Sequence, residues 1–249
     1  MNYQQRDFVF TMIDMHSHIL PGVDDGAQDN TQALQMLAMA IQDGVTTQLL
    51  TPHIQPGVYN NTLSSLTKQF TQFQTAVHKQ GLDIKLRIAA EVRIGPEIMQ
   101  MVQSDTLPWL GNWEGHKVFL LEFPHNQIPV GSINLIQWLL KKNILPMIAH
   151  PERNQALQQD ITKLEPFLDE GCLVQVTAKS IAGGFGVEPK RVARELLQAG
   201  KTTLLATDCH NLAYRPPDLS NGYQAAAEII GETSAKALVY DNPHALLNQ

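Results

Sequence analysis

Seven short apolar runs, separated by polar or helix-patterned stretches, recur along this 249-residue chain and leave few folds open to it. They read "FTMIDMHSH", "TTQLLTPH", "IKLRIAAEVRI", "HKVFLLEFP", "ILPMIAHPE", "CLVQVTA" and "TTLLATDCH". Their length and their apolar, β-branched content are those of strands. In "NTQALQMLAMAIQDG" Leu34, Leu37, Ala38 and Ile41 share one helical face, and Gly44 ends the run. "SINLIQWLLKKN" and "EPKRVARELLQAG" are patterned alike, the second closed by Gly200. Strands joined through crossover helices run parallel. The expectation is therefore an α/β fold, a single βα-barrel domain with seven strands where the familiar barrel has eight. An open doubly wound sheet is the alternative. No linker rich in Pro, Gly or Ser divides the chain, and "IIGETSAKALVYDNPHALLNQ" is expected to pack as terminal helices. Met12 could itself initiate the chain, so residues 1–11 read as an N-terminal extension and 12–249 as the domain.

The strand ends carry the chemistry. The first run ends in His16 and His18, and the second in His53. The third carries Glu91 and the fourth Glu122; the fifth ends in His150 and the seventh in Asp208 and His210. In a parallel barrel these ends share the face on which active sites sit. Residues two apart on a strand point the same way, so His16 pairs with His18 and Asp208 with His210. The turn "GVDDG" adds Asp24 or Asp25. One strand-end histidine is usually a core or capping residue. Five imidazoles and four carboxylates on one face are a different matter, because packed carboxylates repel unless cations intervene. The formal charge of −6 would be neutralised by three divalent ions. Donors of nitrogen and oxygen only, with no required thiolate, favour Mn, Fe, Zn or Mg.

Composition narrows the function classes. With 43% hydrophobic and 17% charged residues the chain reads as globular, and no apolar run approaches the roughly 18 residues of a membrane span. The acidic balance and the absence of a basic stripe argue against a general nucleic-acid binder. Two cysteines, Cys172 and Cys209, make no disulfide framework and suit a reducing cytoplasm. "CHNLAYR", Cys209 to Arg215, has the C-x5-R spacing of cysteine-dependent phosphatases, but it lacks the loop glycines. Strand alternation also turns Cys209 away from Asp208 and His210, and an adjacent carboxylate raises a thiol's pKa.

The order "DMHSH…DDG…TPH…AEV…LEF…AHPER…TDCHN" resembles the polymerase and histidinol phosphatase (PHP) superfamily. Within it, "HILPGVDDGA", "EFP", "IAHPERN", "QVTAKSIAGGFG" and "TDCHNLAYRPP" resemble the bacterial manganese-dependent protein-tyrosine phosphatases of capsule and exopolysaccharide operons. The resemblance implies a distorted seven-stranded, TIM-like barrel of the PHP type and three divalent metal ions, manganese first. It implies His16, His18, Glu91 and Asp208 as ligands of one metal, and Glu91, Glu122 and His150 of a second. Asp25, His53 and His210 would bind the third. Arg153 and Arg215 resemble the family's phosphate-binding arginines, whose guanidinium fork suits phosphoryl oxygens. Asp14 could orient a ligand imidazole or merely bond backbone. His125 is a candidate general acid, and the glycines of "IAGGFG" could line a loop at the rim. The implied activity is hydrolysis of phosphotyrosine by a metal-bridging hydroxide, the substrate being the tail of a cytoplasmic tyrosine kinase that controls capsule or exopolysaccharide synthesis. The alternatives are a PHP-type small-molecule phosphomonoesterase such as histidinol phosphatase, or a non-catalytic, metal-dependent module that binds the kinase tail.

Overall fold

The computed structural model describes residues 11–248, so residues 1–10 of the expected extension lie outside the described residues. The seven runs form the seven staves of a parallel barrel. The first is β1 (Met12–Asp14). The second is broken at Thr51–Pro52 into β2 (Val45–Leu50) and β3 (His53–Ile54), and the third at Ala89–Ala90 into β4 (Lys85–Ile88) and β5 (Glu91–Arg93). A short hairpin arm, β6 (Gly111–Trp113), precedes β7 (His116–Glu122). β8 (Ile144–Ala149), β9 (Leu173–Thr177) and β10 (Leu204–Ala206) complete the set.

Pairing runs β1–β2–β4 low in the barrel and β3–β5–β7–β8–β9–β10 around the rest, all parallel except the antiparallel β6–β7 arm. Backbone bonds from Thr51 N to Ser17 O and from Ala89 N to Leu50 O carry the pairing across the breaks. The ring closes between the first and last staves through the parallel bridge Ser17–Cys209, with Asp208 N donating to His16 O and His18 N to Cys209 O. Closure decides for the barrel over the open sheet.

Alternation sorts the strand side chains into two cores. Val118 and Leu120 of β7, and Leu145, Met147 and Ala149 of β8, join Ile13, Leu49 and Leu204 inside the barrel. Phe119, Leu121, Ile144 and Ile148 belong instead to the layer under the helices. Leu110 before β6 and Leu246 of the C-terminal helix Asn242–Asn248 close the end opposite Glu122. A Cβ on Gly111 would lie 2.0 Å from the Leu246 carbonyl, so this helix docks directly on the β6 backbone.

The helices Asn30–Gln42, Ser132–Leu140 and Val187–Gln198 lie where the 3.6-residue patterning placed them. Asp29 caps the first by accepting from Gln32 N. The longest helix, Leu63–Gln80, was not singled out by its pattern, yet Thr62 and Ser65 close a capping box and Leu66, Phe70, Phe73 and Val77 bury one face. Among the described residues no helix is long and apolar enough to cross a membrane.

Candidate metal centre

All nine strand-end and turn residues meet at the carboxyl ends of the staves. The chain breaks place some of them. β1 ends before His16, and the Gly22–Ala27 turn folds back so that Ala27 N donates to His18 O. His150 (φ 31°) and Asp208 (φ 52°) adopt left-handed backbone, a conformation that costs energy in a non-glycine residue. It occurs here at two residues that both turn into the cluster.

Three overlapping groups of donors result, each with its atoms within 4.8 Å of one another. One comprises His16, Glu91, His150 and Asp208; a second His18, Asp25, His53 and His210; a third His53, Glu91 and Glu122. The four donors that the resemblance grouped also lie together: His16 Nε2 and His18 Nε2 are 3.2 Å apart, and each lies 3.3–3.4 Å from Glu91 Oε2 and Asp208 Oδ1. His18 also borders the Asp25 group, its ring lying 3.9 Å from that of His210 and 4.4 Å from that of His53. His150 reaches Glu91 as well, its Nε2 lying 2.7 Å from Glu91 Oε1 and its ring stacked on His16. Glu91 remains shared, its Oε2 lying 3.3 Å from both His16 Nε2 and His18 Nε2 and 3.1 Å from His53 Nδ1.

The cluster fits cations. Glu91 and Asp208 are fully buried and Glu122 nearly so. Glu91 Oε2, Asp208 Oδ1 and His53 Nδ1 are buried with no hydrogen-bond partner, a costly state for polar atoms unless something else satisfies them. Burial, and then the charge of Glu91, push the Glu122 carboxyl up to about 9. Burial holds the His53 and His150 imidazoles down to about 4, which keeps them neutral and able to donate a lone pair.

Neighbours aim the imidazoles. Gln175 Oε1 lies 2.9 Å from His16 Nδ1, Asp24 Oδ2 lies 2.7 Å from His18 Nδ1, and the Asp208 carbonyl lies 3.0 Å from His210 Nδ1. Each contact assigns the proton to Nδ1 and turns the Nε2 lone pair toward the cluster. Asp14, considered for this task, instead accepts from Thr207 N, Thr207 Oγ1, Gln48 Nε2 and, at 3.4 Å, His16 N, sealing the barrel seam. Strand alternation could have suggested Gln175, which faces inward two residues after Leu173. The spacing alone did not.

Two further residues escaped the sequence reading. Arg93 Nη2 lies 2.9 Å from Glu122 Oε2 and holds that carboxylate from behind, and Tyr59 stacks on His53 with ring centroids 5.3 Å apart. Arg153 and Arg215, by contrast, converge as expected, and both donate to Asp208 Oδ2. His125 is exposed on the loop after β7. Cys209 is fully buried among the outer core, and burial pushes its thiol well above the ordinary range. A thiol so placed is no nucleophile.

Fold and centre together define a class: parallel α/β barrels able to hold metal ions at the carboxyl ends of their strands. Within that class this chain belongs to the family described as "Capsular polysaccharide synthesis, CpsB/CapC", whose model matches residues 12–248. It is 33% identical over 204 residues to tyrosine-protein phosphatase YwqE of Bacillus subtilis, covering 82% of this chain and 79% of that one. It is 29% identical over 245 residues to tyrosine-protein phosphatase CpsB of Streptococcus pneumoniae, covering 95% and 98%. A solved structure from work on those two proteins, described as unique metal-dependent tyrosine phosphatases, superposes with a TM-score of 0.88 at 30% identity, covering 95% of this chain and 94% of that one.

Proposed function

We propose that this protein is a metal-dependent protein-tyrosine phosphatase that binds three divalent ions, manganese foremost, in the overlapping donor groups. The observation that carries the reading is the buried, unsatisfied set of carboxylate and imidazole atoms beside two converging arginines, in a chain of this family. His16, Glu91, His150 and Asp208 would hold one ion, His18, Asp25, His53 and His210 another, and His53, Glu91 and Glu122 the third. Bound there, such ions supply Lewis acidity, lowering the pKa of water and offsetting charge on phosphoryl oxygens.

The chain's own groups do the rest. Arg153 and Arg215 meet at Asp208 and present N–H edges that suit a dianion's remaining oxygens. Asp24, Gln175 and Arg93 keep the donors in place, so the site needs little rearrangement as the reaction proceeds. The tyrosine phenol, with a pKa of about 10, leaves more readily than a serine alkoxide, so a dedicated general acid is dispensable. Exposed His125 remains the side chain from which a proton could come. The substrate would be a phosphotyrosine in the flexible tail of a cytoplasmic kinase controlling polysaccharide export, because a disordered tail can reach the barrel rim.

The test begins with p-nitrophenyl phosphate and protein stripped by chelator, then restored with Mn, Fe, Zn or Mg. His53→Ala and Asp208→Ala should each lower turnover at least ~10²-fold. Phosphotyrosine peptides should be preferred over phosphoserine peptides and histidinol phosphate. Activity that survives chelation, or near-wild-type turnover in both variants, removes the metal reading. A tenfold or greater preference for histidinol phosphate removes the tyrosine assignment alone.

A further inference from the structure

Three loops that follow consecutive staves converge on one aromatic ring. Phe185 lies in the glycine-rich segment after β9, its face 4.9 Å from the guanidinium carbon of Arg153, on the loop after β8. Arg215, on the loop after β10, lies 6.0 Å away, and Lys179 Nζ 5.3 Å. The ring is only partly buried and belongs to neither barrel core. Core packing therefore does not account for a phenylalanine at this position.

The segment around it is built to hold the ring there. Gly183 (φ 92°) and Gly186 (φ 99°) take left-handed backbone on either side. A Cβ on Gly184 would lie 2.6 Å from Lys179 Cγ, so the lysine stem runs directly over this glycine. Lys179 Nζ then donates to the carbonyl of Tyr214, the residue before Arg215. At the other end Glu152, next to Arg153, is fully buried and accepts from Thr177 N (3.0 Å) and Ser180 Oγ (2.7 Å) at the start of the same segment.

We propose that Phe185 is a positioning residue for phosphate capture: its ring holds the guanidinium planes of Arg153 and Arg215 so that their N–H edges face the Asp208 side of the centre. This rests on the phosphatase reading only in taking phosphate as the anion. Two guanidinium groups repel each other when brought together, and a ring face attracts both while leaving their hydrogen-bonding edges free. Arginines held in this way lose less side-chain freedom when an anion binds.

Phe185→Leu keeps an apolar side chain and removes the ring. Calorimetry of metal-loaded protein with inorganic phosphate should show affinity weakened at least ~5-fold, the order expected for a lost cation–π contact. KM for p-nitrophenyl phosphate should rise in parallel, with kcat and metal content nearly unchanged. Phe185→Tyr should restore both values. In an Arg153→Ala background the Leu substitution should cost much less than it does alone, because part of what it supports is already gone. Unchanged phosphate affinity in Phe185→Leu overturns the inference, as do additive losses in the double variant. A loss confined to aryl phosphates also overturns it, assigning the ring to the leaving group. Phosphate binding is read without turnover, so an inactive wild-type protein removes the phosphatase reading while the binding comparison still decides this one.

Discussion

Asp24 and Asp25 are neighbours in one turn and do different things. Asp25 faces the cluster with its side chain half exposed, 3.5 Å from His53 Nε2 and from His210 Nε2. Asp24 is inside, gripping His18 Nδ1 and accepting from His53 N and Gly26 N. Asp24→Asn should weaken metal affinity roughly 10- to 100-fold while leaving the fold intact, since it alters what orients His18 and not the donors themselves. Competition with a chelating dye measures this, and an unchanged affinity would remove the orienting role. The thiols give a second check at this scale. Burial raises Cys172 to about 12 and Cys209 well above its ordinary value, so the native protein should resist iodoacetamide at pH 8. Cys209→Ala should retain most activity. Rapid alkylation that tracks loss of turnover, with metals still bound, would revive the cysteine mechanism.

The two ends of the barrel make opposite predictions for the elements that close them. At the site end a Cβ on Gly26 would lie 1.9 Å from His18 O and 2.5 Å from His18 Cβ, so the turn approaches the strand too closely for any side chain. Gly26→Ala should displace the turn, cost about 1–3 kcal/mol and strip donors from the Asp25 group. At the far end Leu246 fills the barrel floor. Leu246→Ala should cost about 2–5 kcal/mol and leave metal stoichiometry untouched. Denaturant melts paired with metal analysis separate the two outcomes. Equal metal loss in both variants would mean that the floor and the site are not independent.

For the whole molecule the cluster links metal, protons and stability. In the metal-free protein Glu122 is raised to about 9 by burial and by Glu91, and His18 is raised well above 6.5 by Asp24 and its other carboxylate neighbours against the opposing effect of burial. A raised folded-state pKa gives stability that is full below the group's ordinary value and is lost as pH climbs through the raised one. Metal-free protein should therefore melt at progressively lower temperature between about pH 6.5 and 9. Metal-loaded protein should not follow, and metal binding near pH 7.5 should release protons, seen as a buffer-dependent calorimetric enthalpy. A metal-free melting temperature that rises over this interval would contradict the assigned proton states.

Periodicity and punctuation were enough to determine the seven parallel staves, three of the helices beside them and the face on which strand ends meet, because alternation of side chains and crossover connections are local properties of a chain. Eight of the nine candidate donors were legible for the same reason, since they cluster at strand ends and strand ends in a barrel share a rim; the turn offered Asp24 or Asp25, and the resemblance pointed to Asp25. How closely the donor groups overlap was not legible. It depends on Glu91 lying among His16, His18, His53 and His150 and on His18 packing against His210, contacts made across the closed ring. Gln175, Arg93 and Phe185 were invisible singly, and Asp24 was legible only as an alternative to Asp25, since an inward glutamine or a rim phenylalanine carries no signature until the tertiary structure puts an imidazole or a guanidinium beside it.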